Sequence, residues 1–284
     1  MNGVSRTAGN MAAVRALETL KPQAQRLFAD PYAVRFLGPG EQVLAAAAHV
    51  PVIRQMVEAY ADAQAPGART SGAARTRLID DWITGECEEG AAQVVFLGAG
   101  FDTRAVRLPA LANVRIFELD RAPILELRAR RLGSCPANVV RAPIDFLCED
   151  IDAKLLAAGF DASKPSVFVW EGLTNYLDRR AVDAVFETVG LVKGRIIFTY
   201  VHADAISGRF DAPGMDALLK RFRKMGEPWT FGFRPEHVSF YLRGKGLKRC
   251  VDLGAAEYRA IYWSDAHQRV EGYEFYRVAL AEPL

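Results

Sequence analysis

Short apolar runs alternate with helix-like stretches from residue 93 to about residue 200. Continuous apolar runs of this length are typical of strands that are buried on both faces of a parallel sheet. Five such runs follow one another, at residues 93–98, 114–120, 138–142, 166–170 and 195–200. Helix-like stretches lie between them, at residues 123–132, 151–158 and 179–192. The alternation predicts an α/β fold with a parallel, doubly wound sheet.

The first 92 residues follow a different pattern. Prolines separate alanine-rich, helix-forming runs, and this part of the sequence contains no strand-like run. Helices are predicted at residues 11–20, 42–63 and 71–84. We therefore expect a helical N-terminal cover over residues 1–92 and a sheet domain over residues 93–284. No flexible linker separates the two, so we expect one compact unit.

The pattern is less regular after Tyr200. A helix-like stretch at 235–245 is followed by strand-like runs at 247–253 and 274–280. Before them, apolar side chains recur at helical spacing between basic residues, at Met215, Leu218, Leu219, Phe222 and Met225. A surface helix packed on the core is the leading interpretation of this stripe. A lid over a substrate or a contact with a membrane surface is the alternative.

Composition narrows the class of protein. The 284 residues include 36 Lys and Arg against 34 Asp and Glu, and half of the residues are apolar. The near balance of charge gives no broad positive field, so we expect no nucleic-acid partner. No apolar run reaches the ~20 residues of a membrane span, and residues 1–10 have no hydrophobic signal core. These features predict a cytoplasmic protein without stable membrane association, of unknown oligomeric state.

The four cysteines occur without CxxC spacing, at Cys87, Cys135, Cys148 and Cys250. We interpret them as reduced thiols rather than a metal site.

A glycine loop follows the first predicted strand, with Gly98, Ala99 and Gly100 ahead of Asp102 and Thr103. Ligands of doubly wound sheets bind at the carboxyl ends of the strands, and glycines let the backbone approach them closely. A dinucleotide site would have a third glycine at position 103, and Asp102 puts negative charge where a pyrophosphate would lie. We therefore predict an adenosyl ligand without phosphates, S-adenosylmethionine. A nicotinamide-dependent oxidoreductase is the remote alternative.

Acidic residues end the next three strands of the predicted sheet. Asp120 can accept hydrogen bonds from both ribose hydroxyls, with Glu118 as a neighbouring candidate and a helix N-cap as the alternative role of Asp120. Asp145 can accept from the adenine amino group with Phe146 against the base, unless it is an ordinary turn aspartate. Glu171 adds a carboxylate at the mouth of the cleft.

These residues resemble the leucine carboxyl methyltransferase family of S-adenosylmethionine-dependent enzymes. The similarity lies in separated blocks that follow one another in order up to about Tyr200. The blocks are Ala16 to Glu18, Asp30 to Ala33, Arg75 to Asp81, Phe96 to Arg104, Phe117 to Asp120, Asp145 with Phe146, and Glu171 to Leu177.

The resemblance implies a class I methyltransferase (Rossmann-like) fold, with a seven-stranded, mostly parallel sheet whose last strand is antiparallel, under a helical cover. It implies that Arg75 holds the methionine carboxylate of the cofactor or a carboxylate of the substrate. It also implies that Tyr176 faces the acceptor site. The alternatives are a surface arginine for Arg75 and core packing for Tyr176.

The predicted activity is O-methylation of a small molecule, and a carboxylate is the leading acceptor because it needs no general base. A phenol or alcohol acceptor is the alternative, and it would require a base. Of the four histidines, His49, His202, His237 and His267, only His202 is predicted at the end of a sheet strand where a base can reach an acceptor. An adenosyl-binding protein without catalysis is a further alternative.

Three basic residues cluster on the predicted helix at 123–132. We expect Arg128, Arg130 and Arg131 to form a solvated face.

Overall fold

The computed structural model describes residues 6–133, 135–210, 215–263 and 273–284. Within these ranges seven strands form one sheet: β1 Gln93–Leu97, β2 Arg115–Asp120, β3 Val139–Pro143, β4 Ser166–Trp170, β5 Arg195–Val201, β6 Leu247–Leu253 and β7 Tyr276–Pro283. Their order is β3-β2-β1-β4-β5-β7-β6. Strands β1 to β5 are parallel, and β7 is antiparallel to both of its neighbours. The predicted fold class, with a last antiparallel strand, is confirmed.

Helices cover both faces of this sheet. In chain order they are α1 Arg6–Thr19, α2 Pro39–Ala47, α3 Pro51–Gln64, α4 Ala68–Glu88, α5 Arg104–Arg107, α6 Ala122–Leu132, α7 Ile151–Ala157, α8 Arg179–Leu191, α9 Ala203–Ile206, α10 Met215–Lys224, α11 Pro235–Arg243 and α12 Ala255–Tyr262. Short 3₁₀ turns are formed by Ala33–Phe36, Pro109–Leu111 and Thr174–Tyr176.

The prediction of one continuous helix over residues 42–63 is wrong. The helix ends at Ala47, and a new one begins with Pro51 in its first turn. Proline has no amide hydrogen to donate and disfavours helical backbone in the residue before it, so it starts a helix more readily than it continues one. Three residues therefore separate α2 from α3.

Alternate side chains of the strands fill two separate hydrophobic layers. Val95 and Leu97 of β1 pack in the layer that α7, α8 and α11 cover. Val94 and Phe96 point to the opposite layer, where α4 and α12 cover the sheet. Because successive side chains of a strand point to opposite faces, strands buried on both sides must be apolar throughout. This requirement explains the continuous apolar runs of the sequence.

The helical N-terminal segment packs directly on the sheet and on the glycine loop. Helix α4 contributes Leu78 and Ile83 to the layer beneath β1. Helix α1 and the turn Ala33–Phe36 enclose Phe101 of the glycine loop, and the rings of Phe36 and Phe101 stack with centroids 4.7 Å apart. The N-terminal helices therefore form one wall of the space above the glycine loop.

Helix α10 carries the apolar stripe that the sequence predicts. Its apolar side chains Met215, Leu219 and Phe222 are buried against the core, and its basic side chains are exposed. This arrangement supports the interpretation as a surface helix packed on the core. Among the described residues no helix combines the length and the apolar character that a membrane crossing requires.

Gly190 in α8 permits the close approach of the chain segment that follows α11. A Cβ atom at this position would collide with the carbonyl oxygen of Lys245, whereas a Cβ at Gly85 in α4 would meet nothing within 4 Å. We expect Gly190→Ala to lower the free energy of unfolding by about 1–3 kcal/mol through overpacking. The matched variant Gly85→Ala should raise it by about 0.5–1 kcal/mol, because alanine favours a helix. Urea denaturation measures both, and equal stabilities of the two variants would contradict the close packing of α8 against Lys245.

Candidate functional site

A cavity of about 610 Å³ opens at the carboxyl edge of the sheet, beside the ends of β1 and β4. The order of the sheet reverses between these two strands, which is where ligands bind in doubly wound folds. The volume lies within the roughly 300–1,000 Å³ that small-molecule sites occupy. Helix α1, the glycine loop and residues 225–230 supply further walls.

The glycine loop turns sharply at the end of β1. Gly98 and Gly100 have φ angles of +69° and +44°, in the left-handed region that favours glycine. The amides of Gly98 and Ala99 both donate to the carbonyl of Leu119, at 2.8 and 3.0 Å. A Cβ at Gly98 would lie 2.6 Å from a methyl carbon of Leu173. The loop therefore requires glycine at this position, and it lines the cavity with backbone.

Arg128 of α6 binds the backbone of the glycine loop. Its Nη1 donates to the carbonyl oxygens of Ala99, Gly100 and Asp102, at 3.1, 2.9 and 2.5 Å. The expectation that Arg128 belongs to a solvated face is wrong, because its side chain is buried. It shares the inward side of α6 with the buried Ile124, four residues earlier. That helical spacing is the sequence signal that could have indicated its position.

The carboxylate of Glu118 neutralises the positive charge of Arg128. The two side chains form a buried ion pair, and Arg141 also pairs with Glu118 at 3.1 Å. Glu118 is therefore committed to structural contacts beneath the loop.

Asp120 lies at the end of β2 and lines the cavity. Its two oxygens accept hydrogen bonds from the backbone amides of Gly100 and Arg121, each at 2.7 Å. Burial raises the pKa of this carboxyl group. The N-cap alternative does not hold, because the cap position of α6 is Arg121 and it makes no side-chain capping bond.

Asp145 and Phe146 line the cavity just after the end of β3. One oxygen of Asp145 accepts from the amide of Leu147 at 3.0 Å, so this residue also shapes the turn. The ring of Phe146 is buried beside it. The pair thus offers a carboxylate next to an aromatic surface.

Glu171, directly after β4, lies between two guanidinium groups. Arg75 approaches its carboxylate at 2.9 Å and Arg104 at 2.8 Å. Burial by itself would raise the pKa of Glu171, but the charges of Arg104 and Arg75 outweigh it and lower the pKa to about 2. Both Arg75 and Glu171 line the cavity, and the Arg75 guanidinium also lies 4.4 Å above the ring of Tyr276.

Arg104 continues this chain of charges into the N-terminal helices. It pairs with Asp102 of the glycine loop and, at 2.6 Å, with Asp80 of α4. The Arg104 charge lowers the pKa of Asp102 against the effect of burial. Asp80 also accepts from both terminal nitrogens of Arg107, at 2.6 and 2.8 Å. Asp80 and Arg104 lie within two of the sequence blocks that resemble the family, Arg75 to Asp81 and Phe96 to Arg104. The sequence pattern in these blocks does not indicate the ion pairs that the two residues form.

Thr103 does not face the cavity. Its side chain is buried, and its hydroxyl donates to Asp30 at 2.6 Å. Asp30 also pairs with Arg15 of α1 at 2.8 Å. The residue where a dinucleotide site would have glycine therefore anchors the loop to the helical cover.

Residues far apart in the chain form the wall beyond Glu171. The hydroxyl of Tyr176 donates to Oγ1 of Thr7 at 3.2 Å, and that oxygen donates to the carboxylate of Glu227 at 2.5 Å. All three residues line the cavity, and burial raises the pKa of Tyr176. The sequence contains no signal for Glu227, because it follows α10 in the section without a regular pattern.

His202 lies at the end of β5 but is not among the residues that line the cavity. Its Nδ1 accepts from the amide of Asp204 at 3.2 Å at the start of α9, and its ring lies 5.2 Å from that of Phe210. His49 and His237 are exposed on the surface. His267 lies outside the described residues.

Among the described residues, the charges that line the cavity have a negative excess. Three guanidinium groups belong to Arg15, Arg75 and Arg121. Five carboxylates belong to Asp102, Asp120, Asp145, Glu171 and Glu227. A ligand that carries positive charge matches this balance better than an anionic one.

Known proteins are similar to this chain in sequence or in fold. A relative from Mycobacterium marinum is 37% identical over 193 residues, which are 66% of this chain and 60% of the relative. One from Mycobacterium tuberculosis strain H37Rv is 35% identical with the same coverage. Both have names that begin "Putative S-adenosyl-L-methionine-dependent methyltransferase". The chain thus spans less than two thirds of the length of these relatives.

Two solved structures share the fold over nearly the whole chain. A "putative methyltransferase" from Thermobifida fusca has a TM-score of 0.62 at 17% identity, with 95% of this chain and 94% of that chain covered. A DUF574 family protein from Streptomyces avermitilis has a TM-score of 0.60 at 12% identity, with 96% and 97% covered. With the observed strand order, the fold is that of class I methyltransferases.

The family model named leucine carboxyl methyltransferase matches residues 8–190, which is more than half of the chain. The matched range includes α1 from its third residue, the glycine loop, and the ends of β2, β3 and β4, which are the elements that form most of the cavity. This chain belongs to the leucine carboxyl methyltransferase family.

Proposed function

We propose that this chain binds S-adenosylmethionine and acts as an O-methyltransferase on a small molecule. One observation carries the proposal. The carboxyl ends of β3, β2, β1 and β4, which are consecutive neighbours in the sheet, carry Asp145, Asp120, the glycine loop and Glu171 in that order. A ligand that extends along this edge would first contact the ring of Phe146 and the carboxylate of Asp145. It would then contact the carboxylate of Asp120, the backbone of the glycine loop, and finally the ion pair of Arg75 and Glu171. Adenine, ribose and the amino-acid part of the cofactor need these groups in this order.

The individual contacts follow from chemistry. In this proposal Asp120 accepts from the ribose hydroxyls, and Asp145 with Phe146 holds the adenine. Arg75 and Glu171 together hold the methionine carboxylate and amino group, because a guanidinium and a carboxylate match opposite charges. Asp102 is ionised, which disfavours a pyrophosphate above the loop. When bound, S-adenosylmethionine supplies an electrophilic methyl group on a positively charged sulfur, and the negative excess of the cavity favours that charge.

A carboxylate is the acceptor that we propose first. It is already anionic at neutral pH, so no residue has to remove a proton, and the task of the cavity is to position it. Family membership supports this choice, and it is consistent with His202 lying apart from the cavity wall. Tyr176 would contact the acceptor through its hydroxyl group.

A hydroxyl acceptor is the second candidate, and the wall formed by Tyr176, Thr7 and Glu227 favours it. This wall carries a carboxylate rather than a cation, so it suits a neutral acceptor better than an anionic one. Glu227 is a base that can take the proton of a hydroxyl acceptor, either directly or through Thr7. The two candidates therefore differ in whether Glu227 is needed for turnover.

The role of Asp120 can be tested by titration calorimetry with S-adenosylmethionine, S-adenosylhomocysteine and NAD. We expect the wild type to bind the first two and not NAD. Asp120→Ala should weaken binding by about 1–3 kcal/mol, because it removes an acceptor of charge-assisted hydrogen bonds. The matched control is Asp152→Ala, at an exposed position of α7, and it should leave the affinity unchanged. Wild-type affinity in Asp120→Ala would remove this residue from the site, and binding of NAD alone would overturn the proposal.

The acceptor class can be tested with a panel of carboxylic acids, phenols and alcohols. For a carboxylate substrate, we expect Glu227→Gln and His202→Ala to change kcat by less than about threefold, because no proton is removed. For a hydroxyl substrate with Glu227 as the base, Glu227→Gln should lower kcat by about 10²–10⁴-fold. His237→Ala, at an exposed surface position, serves as the control.

Each other outcome of the panel has a defined meaning. A large loss in His202→Ala alone would identify His202 as the base. Cofactor binding without turnover of any acceptor would favour an adenosyl-binding protein and contradict the proposed catalysis.

A further inference from the structure

Arg104 of α5 contacts Glu171 without lining the cavity itself. Its side chain is buried, and it is not among the residues that line the cavity. Its Nη1 donates to Oε2 of Glu171 at 2.8 Å. Its Nη2 donates to the backbone carbonyl of Thr76 at 3.3 Å, and Thr76 follows Arg75 in α4. Arg104 therefore connects the helix that carries Arg75 to the strand end that carries Glu171.

Two further contacts fix the position of the Arg104 side chain. Its Nε donates to Asp80 of α4 at 2.6 Å, and its Nη1 also donates to Asp102 of the glycine loop. A guanidinium can contact carboxylates on several sides at once because its donors form a rigid planar fork, whereas the ammonium of lysine is a single point charge. Arg104 is thus held between α4, the glycine loop and the end of β4, and its charge is fixed beside Glu171.

The two oxygens of Glu171 have different partners. Oε1 accepts from Nε of Arg75 at 2.9 Å, whereas Oε2 accepts from Arg104. Arg75 and Glu171 both line the cavity, and they are the pair assigned above to the amino-acid part of S-adenosylmethionine. That part is a zwitterion, so its carboxylate would draw on the charge of Arg75, which otherwise neutralises Glu171. Arg104 would then remain as a cation beside Glu171.

We propose that Arg104 is a positioning residue that makes the site selective for adenosyl ligands with a positively charged amino group. It acts through Glu171, because its contact with Oε2 keeps the carboxylate ionised and leaves Oε1 on the side of the cavity. A hydrogen bond from an ammonium to an ionised carboxylate is about twice as strong as one between neutral groups. This inference rests on the proposed cofactor site and adds to it a residue outside the cavity.

The charges around Glu171 support this role. The pKa of Asp102 is lowered overall: burial acts to raise it, the charge of Arg104 outweighs this effect, and the charge of Glu171 acts in the same direction as burial. The carboxylates of Asp102 and Glu171 therefore repel each other, and Arg104 pairs with both. Without a cation between them, two neighbouring carboxylates favour protonation of one of the two. An ammonium ligand would then find a weaker partner.

Two ligands that differ in one group test the proposal by titration calorimetry. S-adenosylhomocysteine carries the amino group, and its deaminated analogue keeps the adenosine, the sulfur and the carboxylate. Competition against S-adenosylhomocysteine extends the measurement to weak binding. We expect the wild type to bind S-adenosylhomocysteine about 10–100-fold more tightly than the analogue, because only the former donates a hydrogen bond between charged groups to Glu171.

Arg104→Lys keeps the positive charge but removes the fork, so Glu171 has to compete with Asp80 and Asp102 for one ammonium. We expect this variant to bind S-adenosylhomocysteine about tenfold more weakly than the wild type does. Its affinity for the deaminated analogue should fall by less than about threefold, because that ligand makes no ammonium contact with Glu171.

The matched control is Arg107→Lys in the same helix. Arg107 pairs with Asp80 at 2.6 Å and contacts the hydroxyl of Thr103 at 3.2 Å, rather than contacting Glu171. Its substitution loosens the same anchor of the glycine loop. We therefore expect both ligands to be affected by the same factor, so that the ratio of their dissociation constants stays at the wild-type value.

The wild type by itself supplies a second test, which does not depend on the folding of a variant. Burial acts to raise the pKa of Glu171, but the charges of Arg104 and Arg75 lower it to about 2. The carboxylate should therefore stay ionised as the pH falls from about 7 to about 4.5, and the ratio of the two dissociation constants should not change. Protonation of Asp120 or Asp145 affects the shared adenosine part of both ligands and cancels in the ratio.

The outcomes separate this inference from the proposed function. Equal losses of affinity for both ligands in Arg104→Lys would assign Arg104 to support of the loop alone and overturn the inference. Unchanged affinities in this variant, or a wild-type ratio that falls at about pH 4.5, would overturn it as well. In each of these cases the adenosyl site would stand. A wild type that binds neither ligand would overturn the proposed function, and this inference with it.

Discussion

The chain of buried charges between the N-terminal helices and the end of β4 is the interaction on which the cavity depends. At its centre Arg104 pairs with Asp80 of α4 at 2.6 Å and with Glu171 at 2.8 Å. A buried ion pair costs desolvation when it forms, but removal of one partner leaves an uncompensated charge, at a cost of about 3–5 kcal/mol. Each member therefore depends on the others. The helical cover, the glycine loop and the sheet edge can reach their final positions only together.

The glycine loop is held from both sides. Thr103 and Arg104 connect it to the N-terminal helices, while Arg128 and Asp120 bind its carbonyl and amide groups from the other side. Because these contacts belong to the folded chain, the chain itself fixes the conformation of the loop. Binding to a preformed loop avoids the entropy cost of ordering that loop, so more of the contact energy contributes to affinity.

The two ends of the cavity are built differently. The end near Asp120 and Asp145 consists of strand ends and a loop fixed by buried ion pairs. The end near Tyr176 is enclosed by α1 and residues 225–230, which meet through hydroxyl and carboxylate contacts of Thr7 and Glu227. The first end thus belongs to the common fold, whereas the second depends on chain segments outside the sheet. Segments of that kind are where substrate choice varies between proteins that share a fold.

The amino-acid sequence by itself determined the parallel sheet and the sheet edge at which the cavity opens. Apolar runs are a local property, and the carboxyl ends of parallel strands must share one edge, so the positions of Asp120, Asp145 and Glu171 followed from the strand pattern. Only the tertiary structure decided which polar side chains face the cavity. Thr103 bonds to Asp30, 73 residues away, and the carboxylate of Glu227 meets Thr7, 220 residues away. Such pairings depend on how distant elements pack, and no local spacing in the chain records them.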